Sequence, residues 1–466
     1  MEGMYRERFR PQYHFTAPLG WLNDPNGLIY DHGEYHLFYQ YNPHSTRWAS
    51  PHWGHAVSRD MVRWRDLPIA LYPDKLGSIF SGTIVADKED TSGLFGKGGG
   101  LAALFTHDLH GQECQSLAIS SDRGRTWKKY PGNPVLRGGE GPEWKDFRDP
   151  KVFRFGGKWI MLLGGGRYRF YESEDLIHWS FVRDMAIFEE FPDLFPLQGK
   201  WVLNINGYGC YVGDFSENGF LPCQPLQAVE SANSWQACYT FAGMPAERIV
   251  WMAWMRDSAK APTEPWRCNM SVPREVKLRE EDGGYWIVQY PITELDTLRE
   301  ALYHTRDISA GEEAAGGVRG QCLDIDLDVT LRGEEDLRIR CFEKGDGYLE
   351  IGYRPRERLF YVDTRNATAP DLRQYCTMFP SYMSVNGTQI KILSKLFTGY
   401  YRAGDSMRIR ILIDVSTAEI FVDGGMLAFT VNVYPEADAD GFSIRGKGHA
   451  IRSLDVYRMG TIHTER

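Results

Sequence analysis

The chain lacks most of what would tie it to a membrane, a nucleic acid or a metal. No uninterrupted apolar stretch is long enough to span a bilayer. The segment Met1-Glu2-Gly3-Met4-Tyr5-Arg6-Glu7-Arg8 is charged and has no apolar core of the kind an export signal carries, so the sequence predicts a soluble, cytoplasmic protein. No run of Lys or Arg stands out and the net charge is −9, which excludes a nucleic-acid or anionic-membrane partner but suits a neutral substrate. The eight cysteines, Cys114, Cys210, Cys223, Cys238, Cys268, Cys322, Cys341 and Cys376, have no CxxC spacing, so neither a zinc site nor a disulfide framework is expected, only buried thiols. His44, His52 and His55 crowd one loop, yet nothing in a Gly- and Pro-rich turn makes them converge, and Gly96 to Gly100 lack the strand-then-helix setting of a phosphate loop. No metal and no cofactor are predicted.

Helical periodicity is also nearly missing from the first 290 or so residues. In its place are short strands, such as Glu34 to Tyr41 and Lys158 to Leu163, separated by Gly, Pro, Asn and Asp clusters. Aromatics reach 14%, with 14 Trp and 25 Tyr, a supply that β-rich packing and sugar stacking both draw on. A weak repeat runs through this half: Ser58-Arg59-Asp60 leads to Trp64, Ser120-Ser121-Asp122 to Trp127, and Ser173-Glu174-Asp175 to Trp179. The spacing, roughly 50 to 60 residues, fits one four-stranded propeller blade per copy, with Ser and Asp holding a turn while Trp packs between blades. Five blades fill the N-terminal half.

A short linking helix near Tyr290 to Arg299 then leads to a second domain. Leu323, Ile325, Leu327, Val329 and Leu331 alternate with Asp324, Asp326, Asp328 and Thr330, which predicts a sandwich strand with one buried and one wet face rather than a metal cluster. Asp423-Gly424-Gly425 marks a hairpin. The expectation is an all-β chain: a five-bladed β-propeller over 1–298, ending in the linker helix, followed by a β-sandwich over 299–466.

Three acidic residues sit in proline-containing segments: Trp21-Leu22-Asn23-Asp24-Pro25-Asn26-Gly27, Phe147-Arg148-Asp149-Pro150 and Glu190-Phe191-Pro192-Asp193. Pro25 biases Asp24 toward extended backbone and Asn26-Gly27 signals a turn, so Asp24 is expected on a rigid corner at a strand end. In this order the segments resemble the signatures of glycoside hydrolase family 32, the invertases, inulinases and levanases that act on β-fructofuranosides. Leu22 stands where that family has Met, and Phe191 where it has Cys. The resemblance continues through Ile79-Phe80-Ser81-Gly82, Asn133-Pro134-Val135-Leu136, Pro273-Arg274-Glu275 and Ala418 to Gly424, nearly the whole chain.

The resemblance implies a retaining β-fructofuranosidase that releases terminal non-reducing fructose by double displacement from fructo-oligosaccharides, inulin- or levan-type fructans or sucrose. Asp24 would be the nucleophile, Glu190 the acid and base, and Asp149 the transition-state stabiliser kept ionised by Arg148. Asn23, Gln40, Trp48, Phe80, Ser81 and Trp266 would line the fructose pocket. Phe191 is expected to desolvate Glu190 and raise its proton affinity. The run Ser50 to Ala56 and the stretch from Ile79 lean toward levanase and exo-inulinase members. The alternatives are a fructosyltransferase sharing the fructosyl-enzyme intermediate and a non-catalytic fructan-binding protein. The expected partner is a fructoside, and association of like subunits through the sandwich is left open.

Overall fold

The structure, a computed structural model, describes residues 4–139, 144, 146–257, 260–281, 283–311, 315, 317–373, 381–385, 388–392, 395–401 and 404–463. Five antiparallel sheets built from consecutive segments form the N-terminal half. Their first strands, Gly20–Asp31, Ser78–Asp87, Phe147–Phe155, Pro192–Leu197 and Trp235–Thr240, neighbour one another in a closed cycle around an axis. This is the five-bladed propeller that the repeat suggested. The ring is closed by Trp266–Arg267, which follows the central strands of blade five and adds in parallel to Gly20–Asp31 of blade one.

The Ser-x-Asp…Trp repeat has one geometry in all three copies. Ser58, Ser120 and Ser173 share their hydroxyls with Asp60, Asp122 and Asp175 at 2.9, 2.8 and 3.1 Å. The next residues, Met61, Arg123 and Leu176, adopt positive φ of 59°, 58° and 64°. Each indole closes the turn by donating to a carbonyl, Trp64 to Met61, Trp127 to Gly124 and Trp179 to Leu176, at 3.0 to 3.1 Å. A left-handed non-glycine residue is costly, so its recurrence at one position reflects the over-determination that the Asp and Trp bonds supply.

The second half is a sandwich. A six-stranded sheet runs in the order Arg299–Ser309, Ala450–Met459, Cys322–Thr330, Ser406–Asp414, Thr417–Val422 and Leu427–Asn432, opposite a five-stranded sheet that includes Leu337–Lys344 and Gly347–Arg354. Period-two alternation divides its residues cleanly. Leu323, Ile325, Leu327, Ile411, Ile413, Ile420 and Val422 fill the core between the two sheets. On the reverse face Leu412, Phe421 and Ala428 pack with Tyr13, Trp21 and Leu22 of the propeller.

That second contact corrects the reading of the alternating aspartates. Their face is not uniformly wet: Asp324 is fully buried, bound by Arg410 and Arg299 at 2.7 Å, while Asp326 takes the other end of Arg299 at 2.9 Å. Sequence alternation identifies a polar face but not whether a second domain covers it. The same seam holds His14, whose ring nitrogens contact Asp414 (2.8 Å) and Glu419 (2.9 Å), and Arg274, which pairs with Glu419 and, at 3.2 Å, with Glu230. Backbone N–H groups of Gln12, Tyr13 and His14 donate to Asp414, and that of Ile462 donates to the Gln12 carbonyl. Of the cysteines, five are buried, Cys322 is partly buried and Cys223 is exposed, contrary to expectation, while Cys376 lies outside the described residues.

Candidate active site

The innermost strands of four blades are irregular at one end. Pairing register slips between Leu22 and Pro25, between Ile79 and Gly82, between Arg148 and Lys151, and between Gln236 and Tyr239. Such bulges re-aim side chains next to functional sites. The signals read as turns are therefore bulges within continuous strands. Asp24 sits inside the 12-residue strand Gly20–Asp31, not at its end, and Gly27 at φ 51° accommodates the second slip of that strand. Asp149 lies in its bulge at φ 57°, and Phe191 just ahead of Pro192–Leu197 at φ 52°.

The bulges bring the three acids together. Ser81 donates its hydroxyl to Asp24 at 3.0 Å, and Asn23 accepts from the Trp21 indole at 2.8 Å. The backbone N–H of Phe191 points to an Asp149 carboxylate oxygen at 3.4 Å. Burial pushes the Asp24 carboxyl up to about 6, against its bonds to Asn23 and Ser81, and the Glu190 charge adds to the rise. Asp149 is raised well above the usual carboxylate range by burial and then by Glu190, with Arg148 opposing.

Arg148 does not sit where the sequence put it. Its guanidinium contacts Glu190 at 2.7 Å, Glu113 at 2.7 Å and Asp146, and it makes no ion pair with Asp149. The expectation that Arg148 keeps Asp149 ionised is corrected accordingly: Arg148 pulls the Asp149 carboxyl down, but burial and the charge of Glu190 outweigh it. Glu189 faces away from Arg148, its carboxylate taken by Asn206 at 3.2 Å and by the Glu190 N–H at 3.0 Å. Of the adjacent pair, Glu190 is thus the one presented to the other acids. The Phe191 ring also departs from expectation. It packs in the core against Tyr239, with centroids 4.9 Å apart, while the Glu190 side chain remains 40% exposed.

The remaining pocket residues divide. Gln40 is buried and donates to the Ile79 carbonyl at 3.0 Å, on the strand that carries Phe80 and Ser81. Trp48 is 54% exposed and meets Phe80 edge-on at 5.9 Å, and Phe80 lies under Arg148 at 6.0 Å, so these two rings lead outward from Glu190. Trp266 is a correction. Its indole covers the buried Arg10 guanidinium at 4.5 Å within a cluster that includes Phe9, Leu372 and Tyr434, and with 2% exposure it offers a sugar no face.

Sequence reasoning missed Glu113 and Tyr168, whose hydroxyl donates to the Glu190 carbonyl at 3.2 Å. It also gave no role to Lys151 and Asp193, a buried pair 2.5 Å apart that ties the inner strands of blades three and four. The one signal for Glu113 is phase: in Gln112–Ser120 it shares a face with Gln115 and Leu117, both fully buried. His55 stacks on Phe38 at 3.9 Å and bonds His36, and His44 meets His52 ring to ring at 5.9 Å. Among the described residues no three His, Cys, Asp or Glu side chains gather as metal ligands would.

Two family profiles match the chain: Glycosyl hydrolases family 32 N-terminal domain over residues 14–291, and Glycosyl hydrolases family 32 C terminal over residues 294–458. Among curated proteins, a Levanase of Bacillus subtilis (strain 168) is 34% identical across 98% of this chain and 71% of its own length. A Fructan beta-fructosidase of Streptococcus mutans is 30% identical across the full chain, which spans only 34% of that longer protein. Among solved structures, the exo-inulinase of Aspergillus awamori superposes with a TM-score of 0.87 at 25% identity, covering 98% of this chain and all of that one.

Proposed function

The chain belongs to glycoside hydrolase family 32, and from that premise we propose that it is a retaining β-fructofuranosidase that removes fructose from the ends of fructans. The observation that carries the proposal is the convergence of Asp24, Asp149 and Glu190 at the mouth of one propeller, with Glu190, among the described residues, the one of the three carboxylates that Arg148 holds. In the proposed cycle Asp24 attacks the anomeric carbon while Glu190 protonates the departing oxygen; Glu190 then takes a proton from water, which displaces Asp24. Asp149 bonds to sugar hydroxyls and stabilises the oxocarbenium-like transition state. Positive charge developing on the sugar would draw both buried aspartates into their ionised forms when the site is filled.

The names borne by relatives, levanase, fructan beta-fructosidase and exo-inulinase, favour fructans over sucrose. The aromatic path Phe80–Trp48 supports the same preference, since it gives the chain beyond the cleaved bond apolar faces to lie on. Transfer to a sugar acceptor uses the same intermediate, but nothing around Trp48 favours it, and a pure binding protein has no need of the three acids. The test is a time course on levan-type, inulin-type and sucrose substrates. Free fructose at the earliest points, first seen as the β anomer by NMR, is expected; abundant short oligosaccharides would overturn the terminal mode of attack, and initial α anomer the mechanism.

A further inference from the structure

Glu113 belongs to blade two and to none of the segments that carry the family resemblance. Its side chain is 1% exposed. One carboxylate oxygen lies 2.7 Å from Arg148 Nη2, and the other accepts the Phe147 backbone N–H at 2.5 Å. The opposite nitrogen of the same guanidinium, Nη1, is 2.7 Å from Glu190. A buried carboxylate, a shared cation and the acid–base therefore stand in line, and the buried carboxylate also grips the backbone two residues before Asp149.

This line answers a difficulty in the chemistry. Glu190 must hold a proton at one step and release it at the next, yet a guanidinium at hydrogen-bond distance favours the ionised form alone. A second carboxylate on the same cation divides its charge and returns proton affinity to the first.

We propose that Glu113 is a positioning residue: it fixes Arg148 against Glu190 and takes up part of the guanidinium charge, so that Glu190 can carry the proton it delivers to the leaving group. The proposal rests on the assignment of Glu190 given above. Burial pushes the Glu113 carboxyl up to about 7, against Arg148 and the Phe147 N–H and with Asp146 and Asp108 adding to the rise. Its hold on Arg148 is thus itself tuned by pH near neutrality. The groups facing Glu190 are Arg148 and Asp149 from blade three, Asp24 from blade one, Glu189 beside it, and Tyr168 and Tyr208, with Arg256 beyond Tyr208.

The Glu113→Gln variant keeps the shape and an acceptor for Phe147 but removes the charge. The alkaline limb of kcat/KM should move to lower pH by about half a unit or more, because Arg148 is then shared between Glu190 and Asp146 alone. Turnover of fructans should fall several-fold, while an aryl β-fructofuranoside, whose leaving group needs little proton, is hydrolysed within about twofold of wild type. Glu113→Asp, which restores the charge, should return the limb toward its wild-type position even at a lower rate. A folded Glu113→Gln protein with an unmoved limb overturns the proposal. Should that variant not fold, carboxylate NMR of the wild-type enzyme decides: Glu113 and Glu190 should titrate in two coupled steps, and independent single steps overturn the proposal. Glu190→Gln, measured alongside, separates the two assignments. Near-wild-type turnover of that variant fells the role of Glu190 itself; its collapse together with an unmoved Glu113→Gln limb fells only the role of Glu113.

Discussion

The molecule buries carboxylates in two places and treats them in opposite ways. At the domain seam, burial alone would raise the Glu419 carboxyl, but Arg274 and His14 more than offset it and Glu419 lies below its ordinary value. At the propeller mouth, Asp24 and Asp149 have no ion pair of their own among the described residues, and both are raised. Glu230, which shares Arg274 with Glu419, is the intermediate case: burial leaves it raised despite its partner. A buried acid with a dedicated cation is cement, whereas a buried acid denied one is held ready for a charge that develops on the bound sugar during the reaction.

The sharpest way to break this comparison is Asp24→Asn. If Asp24 is the nucleophile, activity should fall by about four orders of magnitude or more, because no other group can form the covalent intermediate. The same change should raise the melting temperature near pH 7. The sign follows from the raised pKa: an ionised Asp24 is worse placed in the folded state than in the unfolded chain above pH 4 or so, and removing the charge relieves that cost. Retention of more than a few per cent of turnover, or a lowered melting temperature, would break the contrast. Glu190→Gln should cost about 10²- to 10⁴-fold on natural fructosides and less on an aryl fructoside, with Glu189→Gln much milder; the reverse ranking would mean that the adjacent pair is misassigned.

At the seam the expected loss is in stability rather than rate. Glu419→Gln leaves Arg274 and His14 without their shared anion, and removing one partner of a buried pair typically costs about 3–5 kcal/mol, readable in urea unfolding. His14 supplies a pH-dependent version. Burial would lower its pKa, but its bonds to Asp414 and Glu419 raise it to about 9. A group raised from 6.5 contributes stability that is fully present below pH 6.5 and lost as pH climbs through about 9. The melting temperature should decline across that window in the wild type and decline less in His14→Gln. The smallest effect concerns Phe191: with its ring on Tyr239, Phe191→Cys should leave the alkaline limb in place and lower stability by a few kcal/mol at most, as buried aromatic truncations do. A shifted limb would return the ring to the acid.

The same contrast explains what could be read from sequence. The three acids were legible because each sits in a short proline-marked segment that resembles a family 32 signature; local backbone geometry alone put Asp24 on a rigid corner and did not separate Glu190 from Glu189. Asn26-Gly27 was legible only in part, since positive φ is required equally by a turn that ends a strand and by a bulge that continues it. Glu113 was not legible, because its function lies in meeting Arg148 across a blade boundary, and alternation in its own strand shows only that it points inward. Trp266 failed for the complementary reason: the motif placed the residue, but the buried Arg10 claimed its ring. The aspartates of Cys322–Thr330 were correctly paired off from the sandwich core, while Arg410, which binds Asp324, is met from outside the sandwich by Tyr290 and Asp296, a contact that alternation in one strand cannot show.

The closing strand Trp266–Arg267 sets a schedule for the ribosome. Gly20–Asp31, which bears Asp24, finds its hairpin partner Glu34–Asn42 at once, but its other edge is bridged near Ile29 only when Ala242 has been made, and at Gly20 and Trp21 only when Trp266 and Arg267 have. At roughly 5–20 residues per second that is a wait of tens of seconds with an open strand edge exposed. Residues 12–14 wait longer still, because the carboxylate that receives their backbone N–H groups is Asp414. Nascent chains halted before residue 266 should therefore be the species that chaperones retain, and competence for catalysis should arrive late and abruptly in synthesis rather than blade by blade.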